Sequence, residues 1–245
     1  MVFGQLRRRY TLTHYINLPI EATLNRALSQ RVLAEALGTF AIVFFGCGAI
    51  MLADRMPGAI SVSAIPVVFG VVVAAMIYGL GHVSGAHFNP AVTLTFAVTR
   101  HFPFAEVLFY WVGQFVGAIA ASALLSYLFI GGNTFGATVP HVPQMQALVW
   151  EAVMTFFLML VIMAVATDTR AVGTMAGAAI GGVVMIDAFI GGWATGASMN
   201  PARSLAPALL QGAMNSVWIY FLAPMVGALV GGVVYKMVGR TSAST

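Results

Sequence analysis

Residues 84–93 read SGAHFNPAVT, and residues 195–204 read TGASMNPARS. The two stretches share their spacing around Asn-Pro-Ala: Asn89, Pro90, Ala91 in the first and Asn200, Pro201, Ala202 in the second. Asparagine is a good helix N-cap. Proline suits the first helical position, where its missing N–H would be unpaired in any case. Each stretch therefore predicts a helix start. The apolar runs that follow, 89–99 and 200–211, are short. At 1.5 Å per residue such a helix covers roughly half of a hydrocarbon core about 30 Å thick.

The repetition extends outward from these motifs. YWVGQFVGA (110–118) returns as YFLAPMVGA (220–228), and AEALGTF (34–40) as WEAVMTF (150–156), which pairs Glu35 with Glu151. The offsets are 111, 110 and 116 residues, in the same order along the chain. The chain is an internal duplication of about 110 residues.

Composition names the solvent. Of 245 residues, 60% are hydrophobic and 7% charged, with a mean hydropathy of +0.93. A soluble domain carries about 25% charged residues. A bilayer span needs about 20 apolar residues. Six stretches qualify: 32–53, 62–80, 104–129, 147–166, 172–193 and 217–238. Each half then holds three spans and one short segment. Three is odd, so the second half inserts upside down relative to the first, the inverted-repeat pattern that places the functional site at discontinuous helices near the midplane. The expected fold is an all-α membrane protein with six transmembrane helices and two re-entrant half-helices. Its channel domain covers 31–240, with repeats at about 31–129 and 146–240, between an N-terminal tail (1–30) and a short C-terminal tail (241–245).

Charge placement sets the orientation. The net charge is +4, but the basic residues flank apolar segments, which argues against nucleic acid. Placing the N-terminus inside puts Arg7, Arg8, Arg9, Arg26, Arg31, Arg100, Arg170, Lys236 and Arg240 on the cytoplasmic side and only Arg55 outside. Both termini are thus expected in the cytoplasm, with the chain in a plasma or inner membrane and lipid as its surroundings. The first thirty residues lack the apolar run of a secretory signal and read as a solvated tail. The single cysteine, Cys47, reads as a small packing residue. Arg203, inside the second short segment, fits no topological rule.

Inverted symmetry points the two half-helix N-termini at each other. Each carries about half a positive charge, so two facing ends oppose cations, a hopping proton included. The Asn89 and Asn200 amides can donate hydrogen bonds to a passing oxygen. The residues just before each motif must be non-helical, which at that depth survives only where backbone lines a wet cavity or is buried in protein. The carbonyls of Gly85, Ala86 and His87, and of Gly196, Ala197 and Ser198, are expected to form a ladder of acceptors along a pore. Glu35 and Glu151 are carboxylates within spans, read as acceptors for the N–H groups of their neighbouring re-entrant loops; a proton relay is the alternative.

GHVSGAHFNPAVT and GASMNPARSLAPA (residues 81–93 and 196–208) resemble the major intrinsic protein family, the aquaporins and aquaglyceroporins, in wording closest to the nodulin-26-like branch and its bacterial relatives. The resemblance covers about 31–240. It implies a homotetramer with one pore per subunit, which composition and periodicity do not show. It also implies a selectivity filter at Phe69, Ala188, Ala197 and Arg203, which gives Arg203 a role as a fixed pore cation. Water-selective relatives usually carry histidine where this chain has Ala188. Alanine there implies a wider, less polar opening and passage of water plus small neutral solutes, with glycerol foremost and urea or undissociated metalloid acids as further candidates.

The remaining polar residues point to no other chemistry. His82 and His87 lack further ligands nearby for a metal and read as loop packing. His14, His101 and His141 read as surface residues, and no cofactor is required. Asp187, just before Ala188, is expected to hydrogen-bond between helices, with a partial offset of the Arg203 charge as the alternative. Gly117, Gly227, Gly231 and Gly232 are expected to permit close helix packing. A secondary transporter also uses inverted repeats and broken helices, but it would need coupling-ion sites. An enzyme would need a Ser/His/Asp set or metal cluster; the sequence presents neither, so the chain reads as a non-enzyme.

Overall fold

The computed structural model describes residues 25–129, 135–168 and 173–239. Arg7, Arg8, Arg9, His14, Arg170, Arg240 and both tails fall wholly or largely outside these residues. The helices are α1 (Leu28–Arg55), α2 (Ile65–Ser84), α3 (Pro90–Val98), α4 (Val107–Leu128), α5 (Gln144–Thr167), α6 (Ala176–Thr195), α7 (Pro201–Gln211) and α8 (Val217–Val238). Short 3₁₀ turns lead into α2, α4, α6 and α8. Counting these turns, six segments are long and apolar enough to cross a membrane. The exceptions are α3, with 9 residues, and α7, with 11. Among the described residues there is no strand.

Burial runs opposite to that of a soluble protein. Leu108, Val62, Trp193 and Tyr127 are exposed on the helix surfaces, while Glu35, Gln114, Glu151 and Arg203 are buried at the centre. Apolar groups face outward because lipid, not water, surrounds them. Polar groups face inward because each needs a hydrogen-bond partner that lipid cannot supply.

The two halves pack as related copies. In the first, α1 lies against α4; in the second, α5 lies against α8; the halves meet along α2 and α6. Glycine sets the closest approaches. A Cβ on Gly117 would collide with the Ala36 carbonyl, and one on Gly227 with the Ala152 carbonyl, at matched positions of the two halves. The half-helices are exchanged: α3 packs against α8, and α7 against α4. This exchange carries both half-helix tips to the middle of the molecule.

Several boundaries shift by a few residues from expectation, and two of the shifts place polar groups. The first helix begins at Leu28 rather than near residue 32, so Arg31, expected on the cytoplasmic side, lies inside α1 and is 3% exposed. Its guanidinium makes a two-pronged contact with Glu106, at 2.5 and 2.8 Å, and its Nε donates to the Arg26 carbonyl. Burial of a cation is tolerable because the carboxylate comes with it. The second span, expected to end near residue 80, stays helical to Ser84, whose carbonyl accepts the Tyr110 hydroxyl at 2.8 Å.

Candidate functional site

The re-entrant loops have matching backbones. α2 ends at Gly85 (φ 87°) and α6 at Gly196 (φ 80°), both left-handed. Ala86 (53°) and Phe88 (48°) in the first loop, and Ala197 (43°) and Met199 (52°) in the second, also have positive φ. Such angles are uncommon outside glycine and persist only where surroundings enforce them.

Two buried carboxylates face these loops. Glu35 Oε1 accepts the Ser84 hydroxyl (2.7 Å) and the His87 N–H (3.0 Å). Its Oε2 accepts the Phe88 N–H (2.6 Å) and the Gln114 amide (2.7 Å). Glu151 Oε1 accepts the Thr195 hydroxyl (2.7 Å) and the Ser198 N–H (2.8 Å), and its Oε2 the Met199 N–H (2.8 Å). The N–H groups engaged belong to the left-handed residues Phe88 and Met199 and to the residue before each. Tyr110 and Tyr220 hydroxyls close the loops from outside by donating to the Ser84 and Thr195 carbonyls.

The half-helices then meet at their tips. Asn89 Oδ1 accepts the Ala91 N–H (2.9 Å), and Asn200 Oδ1 accepts those of Ala202 (3.0 Å) and Arg203 (3.4 Å). Pro90 and Pro201 occupy the first helical positions. The asparagine amides cross between the halves: Asn89 Nδ2 donates to the Met199 carbonyl at 2.7 Å, and Asn200 Nδ2 to the Phe88 carbonyl at 2.9 Å. Each cap therefore orders its own helix with its oxygen and the opposite loop with its nitrogen.

A mainly apolar cavity of about 110 Å³ borders these tips. It is bordered by both asparagines and by Phe69, Ala188, Ala197 and Arg203, the four positions the family resemblance singled out. Gly85, Ala86, His87 and Ser198 also border it, while Gly196 lies against Thr138. Arg203 is 2% exposed. Its Nη1 donates to the Gly136 carbonyl at 2.8 Å, and its guanidinium carbon stands 5.1 Å from the Phe69 ring centre. Its Nε is buried with no partner among the described residues. Phe69 reaches this position because Gly46 lacks the Cβ that would occupy the ring's place.

His87 and Cys47 pack as expected, and Asp187 does not. His87 packs among Phe96, Phe102 and Tyr110, with Nδ1 3.1 Å from the Thr93 hydroxyl. Cys47 is buried against Gly136. Asp187 was expected to hydrogen-bond between helices; its Oδ2 is instead buried with no partner among the described residues. Among the described residues no three His, Cys, Asp or Glu side chains gather as metal ligands do.

Sequence reasoning passed over the supporting polar residues. Gln114 spans Glu35 and the Thr93 hydroxyl. Thr138, Ser204 and Ser198 form a hydroxyl chain, and Gly136 supplies the carbonyl for Arg203. The duplicated YWVGQFVGA and YFLAPMVGA segments carried the signal for Tyr110 and Tyr220, but not for Gln114, whose counterpart is Pro224. The connector before α5 carried none, because nothing in it repeats.

Two re-entrant half-helices, joined tip to tip within six spanning helices and bordered by a cavity, define a multi-pass integral membrane protein of the inverted-repeat, half-helix class. The chain belongs to the major intrinsic protein family, whose sequence model matches residues 23–235. It is 49% identical over 213 residues to Nodulin-26 of Glycine max, covering 86% of this chain and 79% of that one. It is 46% identical over 215 residues to the putative aquaporin NIP4-1 of Arabidopsis thaliana, covering 87% and 76%. The X-ray structure of the aquaglyceroporin from Plasmodium falciparum shares the fold, with a TM-score of 0.80 at 23% identity, over 86% of this chain and 97% of that one.

Proposed function

We propose that this protein is a passive channel for water and small neutral solutes, glycerol foremost, and that it performs no catalysis. The observation that carries this reading is the reciprocal Asn89 and Asn200 crossing beside one cavity that also reaches Arg203. A solute passing the tips meets two asparagine amides on one side and an apolar wall on the other. Phe69, Ala188, Ala197 and Arg203 act as the filter: hydroxyls turn to Arg203 and to the loop carbonyls, and carbon edges turn to Phe69. Ala188 in place of a larger donor leaves room for a polyol. The ladder of acceptors comprises the carbonyls of Gly85, Ala86 and His87 and of Gly196, Ala197 and Ser198. Glu35 and Glu151 hold the loops in shape.

Both termini lie in the cytoplasm, and four copies assemble with one pore each. The channel domain spans 31–240, between tails 1–30 and 241–245. Arg31, Arg100 and Lys236 sit at one end of the bundle, where Arg31 meets Glu106 and Lys236 Nζ donates to the Thr99 carbonyl at 2.8 Å; this favours a common, cytoplasmic side.

The test is stopped-flow flux in proteoliposomes with water, glycerol, urea and arsenite. Water and glycerol flux that does not saturate supports the proposal. Water flux without glycerol flux leaves a water-selective pore. Saturating flux that follows an ion gradient favours a coupled transporter.

A further inference from the structure

The halves support their loops differently, and the difference falls at the filter. In the first half, Gln114 of α4 donates to both Glu35 and the Thr93 hydroxyl, at 2.7 and 2.9 Å. The matching position in the second half is Pro224 of α8, whose ring offers no donor. Ser204, the match of Thr93, therefore lacks a partner from its own helical layer. The partner comes from the connector before α5. Thr138 Oγ1 lies 2.7 Å from Ser204 Oγ, which lies 2.5 Å from Ser198 Oγ. Ser198 Oγ donates in turn to the Asn200 carbonyl at 2.9 Å. Thr138 is 2% exposed and its methyl fills the space beside Gly196.

The same connector carries Gly136, two residues earlier, whose carbonyl receives Arg203 Nη1. It is tied down again where the His141 N–H donates to the Ala194 carbonyl (2.8 Å) and the Phe135 N–H to Gln211 Oε1 (3.1 Å). Between these ties, Thr138 is the side chain that links connector to re-entrant loop.

We propose that Thr138 is a positioning residue for solute selection: through Ser204 it registers the connector on the second loop, so that the Gly136 carbonyl holds Arg203 to the wall of the cavity. This rests on the pore reading above. With the Thr138 hydroxyl gone, the Gly136 carbonyl loses its register. The Arg203 guanidinium, whose Nε is already unpaired, then swings into the opening beside Phe69. The larger solute is obstructed more than water.

Water and glycerol permeabilities of the full chain in proteoliposomes test this. Thr138→Val should lower the glycerol-to-water ratio about five-fold, the effect of one neutral hydrogen bond. Ser204→Ala should lower it similarly, the double variant no further, and Thr138→Ser should retain the wild-type ratio. An unchanged ratio in Thr138→Val, or equal loss of both fluxes, overturns the assignment. Should Thr138→Val fail to reconstitute, Ser204→Ala decides alone on the same criterion. A wild-type chain that conducts neither solute rejects the pore reading itself, and the positioning role with it.

Discussion

Replacing Glu35 by alanine removes the acceptor of four hydrogen bonds: the Ser84 hydroxyl, the His87 and Phe88 N–H groups and the Gln114 amide. The two side chains can turn to other partners. The two N–H groups cannot, because they are fixed in a buried loop. Each orphaned donor costs about 1–3 kcal/mol, so the direct loss is about 2–6 kcal/mol. The positive φ of Ala86 and Phe88 adds to it, since the bonds that hold those angles disappear. Glu35→Gln keeps one oxygen and should fall between, because its amide nitrogen now confronts donors. Equilibrium unfolding of the reconstituted protein should rank wild type above Glu35→Gln above Glu35→Ala. Water flux should fall in the same order. If Glu35→Ala stays within about 1 kcal/mol of wild type, the spread expected for a minor substitution, and conducts fully, the loop does not depend on this carboxylate.

Further substitutions probe the opening. Ala188→His should lower glycerol flux relative to water by about ten-fold, the lower range for a pocket that loses room for a carbon group, as measured by stopped-flow in vesicles; an unchanged ratio would remove Ala188 from the filter. Gly46→Ala places a methyl where the Phe69 ring now lies and should cost about 1–3 kcal/mol while pushing the ring toward Arg203. Glycerol entry should slow, and a variant that is destabilised with its solute ratio unaltered would detach Phe69 from selection. Asp187→Asn should leave the solute ratio nearly unchanged, because Asp187 does not border the cavity; a shift beyond about two-fold, more than a surface-like change produces, would bring this side chain into the filter.

The fold was legible because it is written twice. Two Asn-Pro-Ala starts, each opening a half-length apolar run, leave little choice of depth or direction, and the repeat offsets by themselves pair Glu35 with Glu151. Tyr110 and Tyr220 stood in the same duplicated segments, but a tyrosine within an apolar stretch does not announce which carbonyl it meets. The partners of Arg203 were illegible for a different reason. Gly136 and Thr138 come from an unduplicated connector without periodicity, and their contacts span 67 and 66 residues. The partner of Arg31 was illegible as well, because Glu106 lies 75 residues away.

Simultaneous recording of osmotic water flux and proton flux in the same sealed vesicles bears most directly on the two facing helix tips. Opposed helix N-termini with asparagine caps require water to pass while protons do not, with no dependence on any ion gradient. Proton movement in step with water, or water flux that appears only under an ion gradient, would contradict a pore threaded past Asn89 and Asn200.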